Sequence, residues 1–429
     1  MEPPVYRPFA LLAFAAALAV GTPLGVAMLV WLYLGGPAVA MPLVLLHAHV
    51  QIFGFFGTLI PGIAVHLLAR FTGRILEPES VHRWLAAGLG VALMLRIADA
   101  TTGRPLAALA ASIVQAVVFA LFAARVWRAL RPPAPAVLRV QLTVATGWLT
   151  VACSLEAAAR VAALAREGAF PDVGALRAVH MAGLLGGVLG WVLGVLGRAG
   201  PMFVAGWGIP RGLERAVPAL LGVAVLLAVA GETGVAGLGA VWARTGELLA
   251  LATAGAVLGA GGAFRRADRA LPMLSRSPAE ARLFRLAAAS SVAAVVAAGL
   301  AVAAAAQGGS EHVLADAARH LLTVGVLTTV VVAMMFRLLP VLERRALAWP
   351  GARPAALWLL LGAVVLRAAE VAVSAGFRWL APAVALSGLA VWGALAAVAV
   401  NLGAAALVRP RSGGPAAGRS APGSTAGRR

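Results

Sequence analysis

The chain contains one cysteine, Cys153, and it lies inside an apolar run. A single thiol excludes an internal disulfide, a thiolate zinc cage and an iron–sulfur cluster. Tyrosine occurs twice, as Tyr6 and Tyr33, both in or beside the first apolar run. Lysine is absent, so all 35 Lys-or-Arg positions are arginine. Charge of either sign is scarce: 12% of residues are charged and 62% are hydrophobic, a balance that no soluble domain of this size sustains. No glycine-rich phosphate loop is present; stretches such as Gly183 to Gly197 read as close helix packing. No cleavable leader is evident, since the first apolar run is long and follows Tyr6-Arg7-Pro8.

What remains is a polytopic membrane protein of all-α class. Twelve spans are expected, near residues 9–34, 42–69, 84–102, 105–127, 138–165, 175–197, 216–234, 240–263, 284–306, 314–339, 355–375 and 380–408. The arginines alternate with them. Arg70, Arg74 and Arg83 follow span two, and Arg125, Arg128, Arg131 and Arg139 follow span four. Arg198, Arg211 and Arg215 follow span six; Arg265, Arg266, Arg269, Arg276, Arg282 and Arg285 follow span eight; Arg337, Arg344, Arg345 and Arg353 follow span ten. Every basic loop therefore lies on one side, which the positive-inside rule makes cytoplasmic, together with both termini. The formal charge of +19 sets topology and needs no nucleic acid partner. The arginine-only, Ala/Gly/Leu/Val-rich composition suits a GC-rich bacterial genome and hence a bacterial inner membrane. Residues 409–429, rich in Arg, Gly, Pro and Ser, read as a disordered cytoplasmic tail.

Spans two, six and ten share a pattern. Each opens on histidine: His47 and His49, then His180, then His320. Glycine follows five or six positions later, at Gly54, Gly186 and Gly325, and arginine closes each span at Arg70, Arg198 and Arg337. A second echo follows. Arg96 and Asp99 in span three match Arg367 and Glu370 in span eleven, and each acid lies 50 positions after His49 or His320. Glu232 lies 52 positions after His180. Three four-helix units in tandem, about 1–130, 131–265 and 266–408, account for this within one transmembrane domain, 1–408.

Imidazole is a common ligand of haem iron and copper, and it is costly to bury in an apolar span without a partner. Positions i and i+2 point about 200° apart on a helix, so His47 and His49 cannot serve one centre from one regular helix. They can face two neighbours, one toward span ten and one toward span six. A bis-histidine haem between His47 or His49 and His320, with a second metal or haem near His180, meets that geometry. Asp99, Glu232 and Glu370 are candidate acceptors of the imidazole N–H, which would orient the rings. Arg96 and Arg367 are candidate partners of haem propionates. The plainer account is that a lone histidine at a membrane interface is a hydrated polar residue. Arg96–Asp99, Arg367–Glu370 and Glu156–Arg160 likewise suit structural ion pairs. His66 falls near the inner end beside Arg70, His82 in a basic loop where solvation is expected, and His312 on the outer surface beside Glu311. Met334 and Met335 read as core.

Twelve spans with histidine on two and ten resemble the main subunit of the haem–copper oxidases and nitric oxide reductases. That resemblance implies a His-x-His on span ten and a His-His on span seven. Here span ten has only His320 and span seven has no histidine, so the usual dinuclear centre cannot be assembled. A closer resemblance is to the NnrS family, carried by Tyr6-Arg7-Pro8-Phe9, HAHVQIFGF at 47–55, FTGR at 71–74, GRAGPMF at 197–203 and RHLLTVGVLTTVVVAMMFR at 319–337. It implies a haem- and copper-containing membrane protein of the nitric oxide response rather than a classical enzyme. The chain departs from that family at Val50-Gln51, where Glu-Met is common, and at Leu342 to Arg345, where His-Thr-Gly-Arg is common. Two other classes stand beside this reading: a respiratory oxidoreductase subunit, and a proton-coupled transporter using the Arg–acid pairs.

Overall fold

A computed structural model of the chain describes residues 5–73, 79–131, 135–166, 170–204, 208–265 and 278–407. Among these residues all regular structure is helical. In chain order the long helices are α1 (Tyr6–Leu34), α2 (Met41–Thr72), α3 (Ser80–Thr102), α4 (Pro105–Ala129), α5 (Ala136–Ala165), α6 (Val173–Ala199), α7 (Arg211–Thr233), α8 (Ala240–Ala260), α9 (Pro278–Ala306), α10 (His312–Leu342), α11 (Ala352–Val373) and α12 (Arg378–Ala404). Eleven are long and apolar enough to cross a membrane. The other is α8, whose first half carries Arg244 and Glu247. The fold is an all-α polytopic membrane bundle, in which each helix satisfies its own backbone hydrogen bonds. The tail expected at 409–429 lies outside the described residues.

Helix limits and apolar limits differ mainly at the arginine-loop side. There α3, α7 and α9 begin at Ser80, Arg211 and Pro278, several residues before their apolar runs. Apolarity marks what lipid requires, whereas arginine is itself a good helix former and continues the helix into water. At the opposite side the turns are tight. Gly103 adopts φ +65 and hands the chain to Arg104 and then Pro105, which starts α4. Asp172 caps α6 by accepting a hydrogen bond from the Ala175 amide at 2.9 Å.

α2, α6 and α10 are the inner helices. In their most apolar windows 78, 94 and 83% of residues are buried within the protein, against 28–50% for the other spans. A helix enclosed by protein has no lipid face to keep apolar, so these three can carry polar groups.

Each inner helix widens into a π-turn just after its histidine: Val50–Phe56, Ala182–Val188 and Leu321–Thr328. Such turns recur at functional sites. Threonines repair the ladder where it loosens. The hydroxyls of Thr58, Thr328 and Thr329 donate to the carbonyls of Phe53, Thr323 and Val324, five residues back, at 3.1, 2.8 and 3.0 Å. The glycine in each turn admits the neighbouring helix. A Cβ on Gly54 would lie 3.5 Å from Ala16 of α1, on Gly186 2.5 Å from Trp148 of α5, and on Gly325 2.6 Å from Ser290 of α9.

The last helix packs back on the first. Trp392 of α12 donates its indole N–H to the Leu18 carbonyl at 3.0 Å. A Cβ on Gly388 would come within 2.8 Å of Val26. At one end of α1, Tyr6 and Arg7 both donate to the Glu343 carboxylate. At the other, Tyr33 donates to Glu370 on α11.

Candidate cofactor site

In the half that holds His47, His180 and His320, α1, α2, α6, α10 and α12 line a cavity of about 510 Å³. His47, His180 and His320 line it, and so do Arg177, Arg244, Arg319 and Arg367. Its volume falls in the roughly 300–1,000 Å³ range of cofactor and small-molecule sites. The His47 ring lies against Gly25 of α1, where a Cβ would sit 2.8 Å from Cε1. Its Nδ1 is 2.7 Å from the Gly21 carbonyl oxygen and donates to it, which leaves Nε2 of the neutral ring with its lone pair. His320 holds Nδ1 2.9 Å from the Asp316 carbonyl and 3.2 Å from the Asp316 carboxylate.

His49 points elsewhere, as the i, i+2 spacing requires. Its ring centroid is 5.9 Å from that of His180 and 4.8 Å from that of Phe53. Nε2 meets Gln115 Oε1 at 3.1 Å, and Nδ1 lies 3.7 Å from Glu156 Oε2. Arg96 reaches this same carboxylate at 2.9 Å and the Ser112 hydroxyl at 2.8 Å. Arg160 joins Glu156 at 3.3 Å to Asp99 at 3.4 Å. Charges in this buried network balance pairwise, which is what makes their burial tolerable. His180 therefore stands between two environments: it lines the cavity and touches the His49 network.

A second ionic cluster flanks the cavity. Arg244 pairs with Glu232 at 2.5 Å and also donates to Glu247, while Arg319 pairs with Glu247 at 2.8 Å. On the far wall Arg367 pairs with Glu370 at 2.9 Å. Of the residues singled out from the sequence, His47, His180, His320 and Arg367 thus meet at one cavity. Arg96 is engaged by Glu156 instead, and Asp99 and Glu232 take arginine partners. His66 packs edge-on to Tyr6 at the opposite end, with centroids 5.6 Å apart. His82, expected to be solvated in a loop, is instead in the first turn of α3 and 4% exposed. His312 is exposed but rims the cavity, and Met334 and Met335 are core.

A family model described as NnrS protein matches residues 5–411 of the 429. The chain belongs to the NnrS family. No curated protein matches it. The NnrS match takes in every inner helix, the whole cavity and both ionic clusters. Several cavity residues of this NnrS family member were not singled out from sequence: Gly25, Arg177, Arg244, Asp316 and Arg319. One signal was legible for Asp316. It precedes His320 by four positions, one turn along the same helix face.

Proposed function

We propose that the cavity holds haem, with His47 presenting Nε2 to the iron and the wall arginines facing the haem carboxylates, in a protein that responds to or protects against nitric oxide. The observation that carries this is the His47 ring itself. It is seated on Gly25, tied at Nδ1 to the Gly21 carbonyl, and directed into a cavity ringed by Arg177, Arg244, Arg319 and Arg367. A backbone acceptor on Nδ1 selects the tautomer that ligates through Nε2 and holds the ring in place. Arg177, which is exposed, and Arg319, which is 27% open beside Glu247, are the wall arginines best placed to meet the carboxylated edge of a flat apolar group. Haem, when bound, supplies an iron centre for diatomic ligands and electron exchange. His49 and His180, with ring centroids 5.9 Å apart, are the pair best placed for copper, which imidazole ligates well. NnrS family membership supports this reading, and so does the lack of histidine on α7, which speaks against a conventional oxidase centre.

The test is purification in detergent, a reduced-minus-oxidised visible spectrum and a metal assay. Haem bands that vanish in His47→Ala, copper that vanishes in His49→Ala, and a Soret shift when nitric oxide meets the reduced protein are expected. Wild-type protein free of both haem and copper overturns the assignment. Haem bands indifferent to nitric oxide overturn the nitric oxide role.

A further inference from the structure

One group of side chains beside the cavity is not used by that reading. Asp316 and His320 lie one turn apart on α10, so both project from the same face. Glu370 reaches them from α11. One ligand atom from each of the three lies within 4.8 Å of the others. His320 Nδ1 and Asp316 Oδ2 are 3.2 Å apart, close to the spacing of two neighbouring ligands on one metal with bonds of about 2.1 Å. Asp316 faces the cavity, with 44% of its side chain open, whereas Glu370 is 3% open. Arg367 and Tyr33 both donate to Glu370, and so fix the inner carboxylate. Arg367 is paired with Glu370, and Asp316 has His320 as its neighbour at 3.2 Å.

We propose that Asp316, His320 and Glu370 form a binding site for a first-row divalent metal ion, separate from haem and copper. Two carboxylates and one imidazole suit Zn2+ or Fe2+; they do not suit Cu+, which favours sulfur. The ion binds α10 to α11 and takes Nδ1 of the neutral His320 ring, whose one proton then sits on Nε2. Three protein ligands leave a coordination position directed at the cavity, as in metal sites that take a small exogenous ligand. The pattern belongs to the third unit alone: the position four before His49 is Leu45, and that before His180 is Leu176.

The test uses the full-length protein in detergent, stripped with chelator and titrated with Co2+ as the probe. Haem is read in the same samples by its Soret band, so failure of the haem assignment and failure of this site are told apart. One Co2+ equivalent with visible d–d bands is expected. Asp316→Asn and Glu370→Gln are each expected to weaken binding by roughly 10–100-fold, and His180→Gln to leave it intact. Because Glu370 also anchors Tyr33, the deciding variant is Asp316→Asn, whose side chain is open to the cavity. Metal should raise the unfolding temperature of the wild type and leave that of Asp316→Asn unchanged. Wild-type protein that takes up no Co2+, or Asp316→Asn that binds it as tightly, overturns the site.

Discussion

The Nδ1 of His47 lies 2.7 Å from the carbonyl oxygen of Gly21, a residue on a different helix. Gly21 closes a π-turn in α1, Ala17–Gly21, where the loosened ladder leaves carbonyls available to a side chain. One local irregularity in α1 therefore orients the imidazole on α2. Gly25, one turn further on, gives that ring its seat.

Filling that seat should separate cofactor binding from folding. In Gly25→Val the new Cβ falls 2.8 Å from His47 Cε1 and pushes the ring off the Gly21 carbonyl. Haem content should drop roughly tenfold or more, the scale of losing an orienting contact to a ligand. Size-exclusion profile and helical content should stay as in the wild type. A variant that keeps full haem content shows that the His47 ring position does not matter.

The cluster around Glu247 should respond sharply to loss of its charge. Glu247 is 3% open and receives both Arg244 and Arg319. In Glu247→Gln the two arginines are left with Glu232 as their shared carboxylate. Removing one partner of a buried pair costs about 3–5 kcal/mol. Arg319→Gln should cost less, since Arg319 is 27% open and water replaces part of what is lost. Unfolding in mixed micelles measures both; a Glu247→Gln protein as stable as the wild type contradicts the argument.

The π-turn glycines should not be equally sensitive. A methyl on Gly186 meets the Trp148 ring at 2.5 Å, whereas one on Gly54 finds nothing nearer than 3.4 Å. Gly186→Ala should therefore destabilise by about 1–3 kcal/mol, the usual range for overpacking, and Gly54→Ala by less. Thermal unfolding of the two variants side by side decides it, and equal losses would show that helix approach at these turns is not what the glycines permit.

The contact at the arginine-loop end should be sensitive to acid. Burial alone would raise the Glu343 carboxyl, but hydrogen bonds from Arg7 and Tyr6 outweigh it and hold the group below the usual carboxylate range. A group depressed by folding stabilises fully above its unfolded value of about 4.3, and that contribution fades as pH falls through the folded value. The stability gap between wild type and Glu343→Gln should be widest near neutrality and close below about pH 4. A gap that is flat with pH would mean that the carboxylate charge is not the stabilising element.

Much of the bundle was legible in advance for a simple reason. Lipid demands long apolar runs, and those runs were readable one by one; of the twelve expected, eleven are long and apolar enough to cross a membrane, and α8, with Arg244 and Glu247 in its first half, is a helix that falls short of that. The histidines were also visible, because polar residues stand out in an apolar background. Their partners were not. Arg96 and Asp99 are a plausible i, i+3 pair along one helix. In the folded protein Arg96 holds Glu156 and Asp99 holds Arg160, both on α5. Helix-to-helix choices of this kind depend on rotation and depth, which a linear pattern does not record.

By itself, then, the sequence determined a helical membrane protein, its spans, and the three helices able to carry imidazole, because hydrophobic length and periodicity are local properties. Tertiary structure decided the rest. It set which face of α2 turned His47 toward one cavity and His49 toward another network, and which arginines walled that cavity. It also brought Glu370 of α11 to the Asp316–His320 pair on α10. Those outcomes rest on how helices pack where glycine lets them approach, and on buried charges finding opposite charges wherever the fold brings them within reach.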